Sequence, residues 1–383
     1  MGYRVVVSDK CLDAPGFKIA DDFFIASTYD EESTVREATK YHKKHKIDGV
    51  MTIAADVPKT VAGVAHKLGL FGISKKTALL TTDKVLMKDN FKKNGIPIPW
   101  YREIKSIAEL ELFCGKTPEQ FILKPADSRG ARGVIKLSSS VDLKWAFNFA
   151  LAYSPSKRLI LEQFIYGPQL STETLVIDGV CYTCGISDRN YEFISKYAPF
   201  VIENGGELPS KLHPNIIKKV KRTISSVAKS IAMQNGVLKG DIVIDDGNVV
   251  IIEAASRLSG GYFCSHEIPL NSGIDFLGNS IKQIMEEKIS LNDLKPQFNI
   301  PVVQRYFFPE RGRVTNISGS DKYSKSANVA VLEIRTKVGD IIAPMNNHPA
   351  RAGMVITTGK TKNDAKSLAE NIVRNICIEI KGD

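Results

Sequence analysis

A hairpin pattern with a carboxylate at each end constrains this chain more than any other feature. The stretch GDIVIDDGNVVIIEAASR, residues 240–257, places seven Ile and Val residues between Asp241 and Glu253. Such apolar density is typical of strands that are buried on both faces. Because an isolated buried carboxylate is costly, we expect the two carboxylates to share a partner, most simply a cation.

The length of the turn decides whether the two carboxylates meet. A two-residue turn at residues 246–247 would pair Asp241 with Ile252 and send Glu253 to the opposite face. A three-residue loop at residues 246–248 pairs Asp241 with Glu253, with their Cβ atoms about 5 Å apart on one face. Two like charges this close repel unless a divalent cation lies between them, and Mg²⁺ is commonly held by carboxylates together with substrate phosphates. We therefore predict the three-residue loop and a magnesium nucleotide site.

Composition excludes several classes of protein. The chain has 383 residues, 43% hydrophobic and 25% charged, which is typical of a globular protein of about two or three domains. Its apolar runs are too short for a membrane helix and its start lacks the form of a signal peptide, so we expect a cytoplasmic protein without a membrane partner. The six cysteines are scattered, and the single CxxC pattern at 181–184 indicates small residues on a strand rather than a zinc or redox site.

The net charge of +10 does not indicate nucleic-acid binding. The densest positive run, KKVKR at 218–222, lies on a predicted helix whose other face is apolar, which is typical of a solvated helix face. We expect no nucleic-acid partner. An anionic small-molecule ligand accounts for the charge excess equally well.

A phosphate-binding pattern precedes the hairpin. In FILKPADSRGARGV, residues 121–134, an apolar strand runs into Lys124, and a loop with Gly130 and Gly133 follows. Glycines allow backbone N–H groups to turn toward phosphate oxygens, and the lysine adds a positive charge at the strand end. Gly-rich loops are common, and this one does not match the P-loop pattern GxxxxGK[ST], so it is weak evidence by itself.

The order of elements predicts an α/β chain. Strand patterns at 3–7 and 49–53 alternate with helix patterns at 31–44 and 59–68, as in a doubly wound parallel sheet. Further helices are predicted near 83–94, 141–152, 214–234 and 363–374, with strands between them. Thr82 is the predicted N-cap of the helix that contains Lys84, Lys88 and Lys92. On local evidence this lysine stripe is solvated.

Taken in order, the motifs resemble the ATP-grasp superfamily. They are Lys84 in TTDKVLMKDNFKKNGIPIP, Lys124 with its Gly-rich loop, LEQFIYGPQLSTE at 161–173, and the hairpin carboxylates. The resemblance covers nearly the whole chain. It implies an α/β and α+β multidomain ATP-grasp fold. The implied domains are a Rossmann-like N-terminal domain at 1–80, an ATP-grasp domain at 81–300 with a lid subdomain at about 115–190, and a closing α/β subdomain at 301–383.

The resemblance also implies roles for individual residues. ATP would lie between the lid and the hairpin, with phosphates at the lysines and the Gly-rich loop, and with adenine beside the backbone of residues 162–165. Asp241 and Glu253 would hold Mg²⁺ or Mn²⁺. Arg257 and Lys124 would act on the transferring phosphate or acyl phosphate. The implied nucleotide contacts are Lys84, Lys124, Ser128, Arg129, Gly130, Gly133, Glu162, Gln163, Phe164, Ile165 and Glu173.

The sequence departs from the family pattern in two places. Members usually carry Asn two residues after the second carboxylate, as in E-x-N-x-R, whereas this chain has Ala255. Alanine offers no oxygen, so either water fills the position or the second metal binds weakly. Family chains also typically begin with a strand, a Gly-rich turn and a helix before the segment that resembles GYRVVVSD. Either the start is truncated or the N-terminal sheet lacks its first strand and exposes an edge.

The resemblance implies an ATP-dependent ligase. Transfer of the γ-phosphoryl group to a carboxylate gives an acyl phosphate that an amine or thiol attacks. The segment 351–380 resembles the closing domain of the amino-acid ligase and carbamoyl-phosphate-synthase-like branch, so we expect small-molecule carboxylate and amine substrates. Many members are homodimers. Candidate acceptor-pocket residues are 54–57, 260–266 and Arg351.

Two alternatives stay open at this point. The first is a carbamoyl-phosphate-synthase-like or biotin-carboxylase-like ligase acting on bicarbonate, although LSGGYFCSHE after Arg257 differs from the Gln-Val-Glu-His continuation of the biotin carboxylase group. The second is a nucleotide-binding pseudoenzyme, which Ala255 and the short start motivate.

Overall fold

The computed structural model of the protein describes residues 1–115, 120–323 and 325–382. The chain begins with a small parallel pair of strands, followed by three helices. These elements are β1 (Val6–Asp9), β2 (Asp22–Ile25), α1 (Glu31–Lys44), α2 (Pro58–Leu68) and α3 (Lys75–Leu80). The predicted helix at 31–44 is confirmed, and Asp30 caps it by accepting from the Ser33 N–H.

The predicted strand at 49–53 is wrong. Within the described residues Ile53 forms only a single bridge to Leu258, and Ala54 N–H donates to the Leu258 carbonyl at 3.1 Å. This segment therefore hydrogen-bonds to the chain after the hairpin instead of joining β1 and β2. As a result, the described part of residues 1–80 does not form the doubly wound sheet that the pattern predicts.

The next unit is a four-stranded antiparallel sheet in the described residues, with strand order β3-β6-β4-β5. Its elements are α4 (Lys84–Lys93), β3 (Tyr101–Ile104), α5 (Ile107–Cys114), β4 (Phe121–Pro125), β5 (Ile135–Leu137), α6 (Leu143–Ala152) and β6 (Leu159–Gln163). Helices α5 and α6 cover one face through buried Leu110 and Phe147. Asp83, not Thr82, caps α4: its carboxylate accepts from the N–H groups of Val85 and Leu86.

A larger sheet of eight strands, counted in the described residues, has the order β11-β10-β7-β8-β9-β12-β16-β14, in which β14 is Val329–Ile334 and β16 is Gly353–Thr358. Helices α4 and α7 pack on one face around Phe91 and Ile224, and α8 and α9 pack on the other around Phe276. The elements from this part of the chain are β7 (Gln169–Ile177), β8 (Val180–Arg189), β9 (Gly206–Leu208), α7 (Pro214–Ser230), β10 (Gly236–Asp245), β11 (Asn248–Ala255), α8 (Ile268–Ser272), α9 (Phe276–Ile284) and β12 (Val302–Tyr306).

The C-terminal segment completes that sheet and adds a three-stranded one, β15-β13-β17, among the described residues. Helix α10 packs its buried Ala365, Ala369 and Ile372 against β12 and β16. The elements are β13 (Gly312–Ser318), β14 (Val329–Ile334), β15 (Ile341–Ile342), β16 (Gly353–Thr358), α10 (Lys362–Asn375) and β17 (Cys377–Lys381). None of the helices in the described ranges combines the length and the apolar run needed to cross a bilayer.

The β10–β11 hairpin pairs Asp241 with Glu253, as predicted, but by a different route. The predicted three-residue loop is wrong: Asp245 pairs with Asn248 across a two-residue turn whose residues both have positive φ. A β-bulge after Asp241 then leaves Ile252 as an extra residue on β11. This extra residue restores Glu253 to the face that carries Asp241.

The cysteine pair of the CxxC pattern lies on β8, as predicted. Cys181 packs in the core beneath α7, whereas Cys184 packs in the core beneath α8 and α9. Burial raises the pKa of the Cys184 thiol to about 12. A redox cysteine needs a lowered thiol pKa, so the structure favours strand residues over a redox site.

Gly167 lies in the connection between β6 and β7, and its substitution would test how closely this connection approaches β10. Its φ is +142°, and a Cβ atom there would lie 2.0 Å from the Ile244 carbonyl oxygen. We expect Gly167→Ala to lower the free energy of unfolding by about 3 kcal/mol or more, because it combines backbone strain with a clash against β10.

Gly247→Ala is the matched control for this experiment. Gly247 also has positive φ, but the nearest atom to an added Cβ is 4.0 Å away. The Gly247→Ala substitution should lower the free energy of unfolding by only about 1 kcal/mol. Equal losses in urea denaturation would contradict the close approach of the 167 backbone to β10.

Candidate active site

A cavity of about 670 Å³ lies between the four-stranded sheet and the end of the β10–β11 hairpin. Residues of the N-terminal and C-terminal segments complete its wall. The predicted site residues that line it are Lys84, Lys124, Ser128, Arg129, Gly130, Glu162, Gln163, Phe164, Ile165, Asp241, Glu253 and Arg257. The fold thus gathers most of the predicted nucleotide and metal residues around one space.

The two hairpin carboxylates lie on the cavity floor, each with a lysine partner. The Lys84 ammonium is 3.1 Å from Glu253 Oε1. Asp241 accepts from the Ser171 hydroxyl at 2.6 Å and forms a short ion pair with Lys239. Burial by itself raises the pKa of Asp241, but Lys239 and Ser171 outweigh it and lower the pKa to about 2. Both carboxylates are therefore ionised and partly open to the cavity.

These two carboxylates fit a magnesium ion. Mg²⁺ prefers hard oxygen ligands and usually keeps several waters, so two carboxylates plus phosphate oxygens form a normal site for it. The described residues contain no cluster of three or more His, Cys, Asp and Glu side chains that could hold a metal. Asp241 and Glu253 are therefore the residues that would hold the ion, and nucleotide and water would have to supply the other ligands.

Two lysines of the α4 stripe are buried, so the prediction of a solvated face is wrong for Lys84 and Lys88, whereas Lys92 is exposed. Lys84 is 5% exposed and donates to the Ser128 carbonyl at 2.7 Å, in addition to its contact with Glu253. Lys88 is fully buried and donates to the carbonyls of Ile251 and Ile252 on the hairpin. The helix sits against the edge strand β11, and this tertiary contact is not visible in the local sequence.

Glu162, on β6, links the four-stranded sheet to Lys88 and to Lys124. Its side chain is 3% exposed and lies 2.9 Å from Lys124 Nζ and 3.6 Å from Lys88 Nζ. The resemblance implied contacts through the backbone of residues 162–165, but the N–H groups of Gln163 and Phe164 already donate to Trp100 and Gln120. The side chain of Glu162 thus belongs to the charge network of Lys88 and Lys124.

The Gly-rich loop is held at the cavity mouth from two sides. The Arg129 guanidinium stacks on the Tyr29 ring at 3.6 Å, and the Gly130 carbonyl accepts from the His348 N–H at 3.0 Å. Gly133 does not line the cavity, because it packs between Pro125 and Tyr153. Its positive φ supports the loop conformation rather than a ligand contact.

Glu173 is not in the position that the resemblance implied. It is fully buried on β7, and its two oxygens accept from the N–H and the hydroxyl of Ser259. Burial raises its pKa to about 7, although the bonds from Ser259 oppose that shift. It therefore ties β7 to the loop after the hairpin from behind the cavity wall.

Arg257 lies on the cavity wall with Asp56 as its partner, at 3.2 Å. Asp56 follows the segment that bridges to Leu258. Of the predicted acceptor residues, Ala54, Ala55, Asp56, Gly260 and Gly261 line the cavity. The rest of that second segment forms a short helical turn, Phe263–Glu267, beneath the wall.

Another part of the cavity wall carries further arginines. Arg351, a predicted candidate, stacks on the Tyr306 ring at 3.5 Å and lies 3.8 Å from Glu203. Arg189 lies 3.6 Å from the other oxygen of Glu203. Sequence reasoning missed Arg189, Glu203, Tyr191 and His348, because they come from three distant segments and lack a motif.

A buried carboxylate lies behind this part of the cavity wall. Glu267 is fully buried, and neither of its oxygens has a hydrogen-bond partner among the described residues. Burial raises its pKa to about 7, with Arg189 partly offsetting the effect. Within the described part of the chain, Nε and one terminal nitrogen of Arg189 also lack a hydrogen bond, although Nε lies 3.6 Å from Glu203.

Comparison with known proteins agrees with this geometry. The ATP-grasp domain family matches residues 81–261, and the family described as L-amino acid ligase C-terminal domain 2 matches residues 305–381. The crystal structure of L-amino acid ligase from Bacillus licheniformis superposes with a TM-score of 0.79 at 19% identity, covering 94% of this chain and 88% of that one. Biotin carboxylase from Campylobacter jejuni superposes at 0.71 with 16% identity, covering 98% and 85%.

Sequence relatives point to the same class. D-alanine–D-alanine ligase of Gloeobacter violaceus is 26% identical over 203 residues, which cover 50% of this chain and 64% of the relative. Uncharacterized protein y4rH of Sinorhizobium fredii is 21% identical over 353 residues, which cover 90% and 71%. Residues 81–261 belong to the ATP-grasp domain family. The chain as a whole is similar to ligases of the ATP-grasp class.

The buried Glu267 predicts a pH-dependent stability. Its folded-state pKa of about 7 exceeds the ordinary 4.5, so ionisation costs stability progressively as pH rises from 4.5 to about 7. Glu267→Gln should therefore be about 3 kcal/mol more stable than the parent above about pH 7.5, and the gain should shrink toward zero below about pH 4.5.

Urea denaturation at about pH 8 and about pH 4.5 measures this difference. Glu310→Gln, at an exposed position, is the control and should show no pH-dependent difference. A gain for Glu267→Gln that is the same at both pH values would show that folding does not raise the pKa of Glu267.

Proposed function

We propose that this protein is an ATP- and Mg²⁺-dependent ligase that joins a small carboxylate to an amine through an acyl phosphate. The observation that carries the proposal is the single cavity with Lys84, Lys124, Asp241 and Glu253 at one end and several arginines at the other. The first group matches a magnesium–triphosphate, and the second matches an anionic cosubstrate.

The lysines and the loop would position the nucleotide. Lys84 and Lys124 provide ammonium groups for phosphate oxygens, and residues 128–130 would lie over the phosphates. Asp241 and Glu253 would hold Mg²⁺, which neutralises phosphate charge when bound. Because Lys84 already contacts Glu253, its ammonium would have to move toward the phosphates when the ion takes that carboxylate.

The proposed reaction has two steps. A carboxylate oxygen of the cosubstrate attacks the γ-phosphorus, the bond to the β-phosphate oxygen breaks, and ADP leaves. The amine then attacks the acyl carbon, inorganic phosphate leaves, and the nitrogen loses a proton. Arg257 lines the same cavity, where its guanidinium would stabilise charge on the transferring group.

The arginine-rich half supports an amino acid as the carboxylate substrate. Arg189 and Arg351 flank Glu203, so guanidinium and carboxylate groups lie side by side on one wall. Such a wall suits a zwitterion, which presents both charges. Two of the similar proteins are named as ligases of L-amino acids and of D-alanine, which supports the same class.

The test is formation of hydroxamate from ATP, hydroxylamine and a panel of amino acids. Hydroxylamine traps an acyl phosphate whether or not the natural amine is known. We expect hydroxamate and ADP in equal amounts for some of the amino acids. Arg257→Met should lower kcat by at least about 100-fold while ATP still binds, because the contact forms during transfer.

Arg222→Met, on the exposed face of α7, is the matched control and should retain full activity. ADP formed with bicarbonate but with none of the amino acids would instead support a carboxylase-like reaction. ATP binding without turnover of any carboxylate would support a nucleotide-binding pseudoenzyme.

A further inference from the structure

The residue opposite Ala255 is a lysine that points to the same cavity. In the register of the hairpin, Lys239 pairs with Ala255 and Asp241 pairs with Glu253. Cross-strand partners and residues two apart share one face of a sheet. Lys239, Asp241, Glu253 and Ala255 therefore form a two-by-two patch on the cavity floor.

Ala255 occupies the place where the family pattern E-x-N-x-R has an amide oxygen. Its side chain is a methyl group that lines the cavity and is 4% exposed. A methyl group cannot ligate a cation. Two Mg²⁺ ions would then have to share two carboxylates, although each ion demands near-octahedral oxygen coordination.

Lys239 brings a fixed positive charge to that place. Its side chain is 13% exposed, lines the cavity, and forms a short ion pair with Asp241 Oδ2. The other oxygen of Asp241 accepts from Ser171. An ammonium group has three donors and contacts carboxylate and phosphate oxygens without the strict geometry of a metal ion.

We infer that this site takes one divalent cation per nucleotide, held by Asp241 and Glu253, and that the Lys239 ammonium supplies the charge of the second cation. The inference rests on the nucleotide site of the proposed function. On this account Ala255 does not disable the site, because Lys239 lies directly across the hairpin from the position where the family pattern has an oxygen.

The first test counts metal ions on the unmodified protein. Electron paramagnetic resonance of free Mn²⁺ gives the number bound per protein at saturating AMP-PNP, a non-hydrolysable ATP analogue. We expect one Mn²⁺ per bound nucleotide. A count of two would overturn the inference but leave the proposed function intact. Failure of AMP-PNP to bind in the presence of Mn²⁺ would contradict the proposed function itself.

The second test changes the lysine and the alanine. Lys239→Met should weaken AMP-PNP binding at least about tenfold, because one charge-assisted contact to phosphate is lost. Lys239→Arg should stay within about threefold of the parent. Lys221→Met, at an exposed position on α7, is the control and should bind as the parent does.

The double variant Lys239→Met/Ala255→Asn should bind two Mn²⁺ per nucleotide, because the asparagine supplies an oxygen and the competing ammonium is gone. Unchanged AMP-PNP affinity in Lys239→Met would contradict the role of the lysine. If a variant fails to fold, as judged by its thermal transition, the count on the unmodified protein still decides the number of metal ions.

Discussion

The site depends on one bulged pair of strands. The extra residue Ile252 lets a tight two-residue turn coexist with the direct pairing of Asp241 and Glu253. Without the bulge, Glu253 would face the opposite side of the sheet, among the apolar side chains beneath α7. The bulge thus allows the hairpin to have both a two-residue turn and a pair of carboxylates on the cavity face.

Charge pairing around this hairpin explains how so many ionised groups are tolerated in a buried place. Glu253 and Asp241 each contact a lysine, and Glu162 lies between two more. Desolvation of a lone charge costs several kcal/mol, so the alternation of signs makes the network stable. The oxygens of Asp241 and Glu253 are partly exposed and face the cavity. The two carboxylates could therefore exchange their lysine partners for a cation, and the lysines could then contact phosphates.

Much of this arrangement could be predicted from the sequence, and the errors have physical causes. The apolar density between Asp241 and Glu253 predicted a buried hairpin, and the amphipathic pattern at 31–44 predicted α1, because both signals are local. The turn length was wrong because a bulge has no marker in a run of Ile and Val residues. The burial of Lys88 was missed because it follows from tertiary packing of α4 on β11.

The acceptor half of the cavity shows the same limit more clearly. Arg189, Glu203 and Arg351 are brought together by β8, the segment before β9 and the segment before β16. No spacing rule connects residues so far apart, whereas the nucleotide half could be recognised from ordered motifs. Conversely, Glu173 lay within a motif, yet its side chain is buried against Ser259 and does not line the cavity.

The most direct test of the account is calorimetric titration with ATP, with and without Mg²⁺, on the parent protein and on Glu253→Gln. The account predicts that tight ATP binding requires Mg²⁺ in the parent, and that Glu253→Gln, while still folded at the temperature of the titration, loses the magnesium-dependent part of the affinity. ATP binding that is equally strong in EDTA, or unchanged in Glu253→Gln, would contradict the claim that the hairpin carboxylates hold the metal of a nucleotide site.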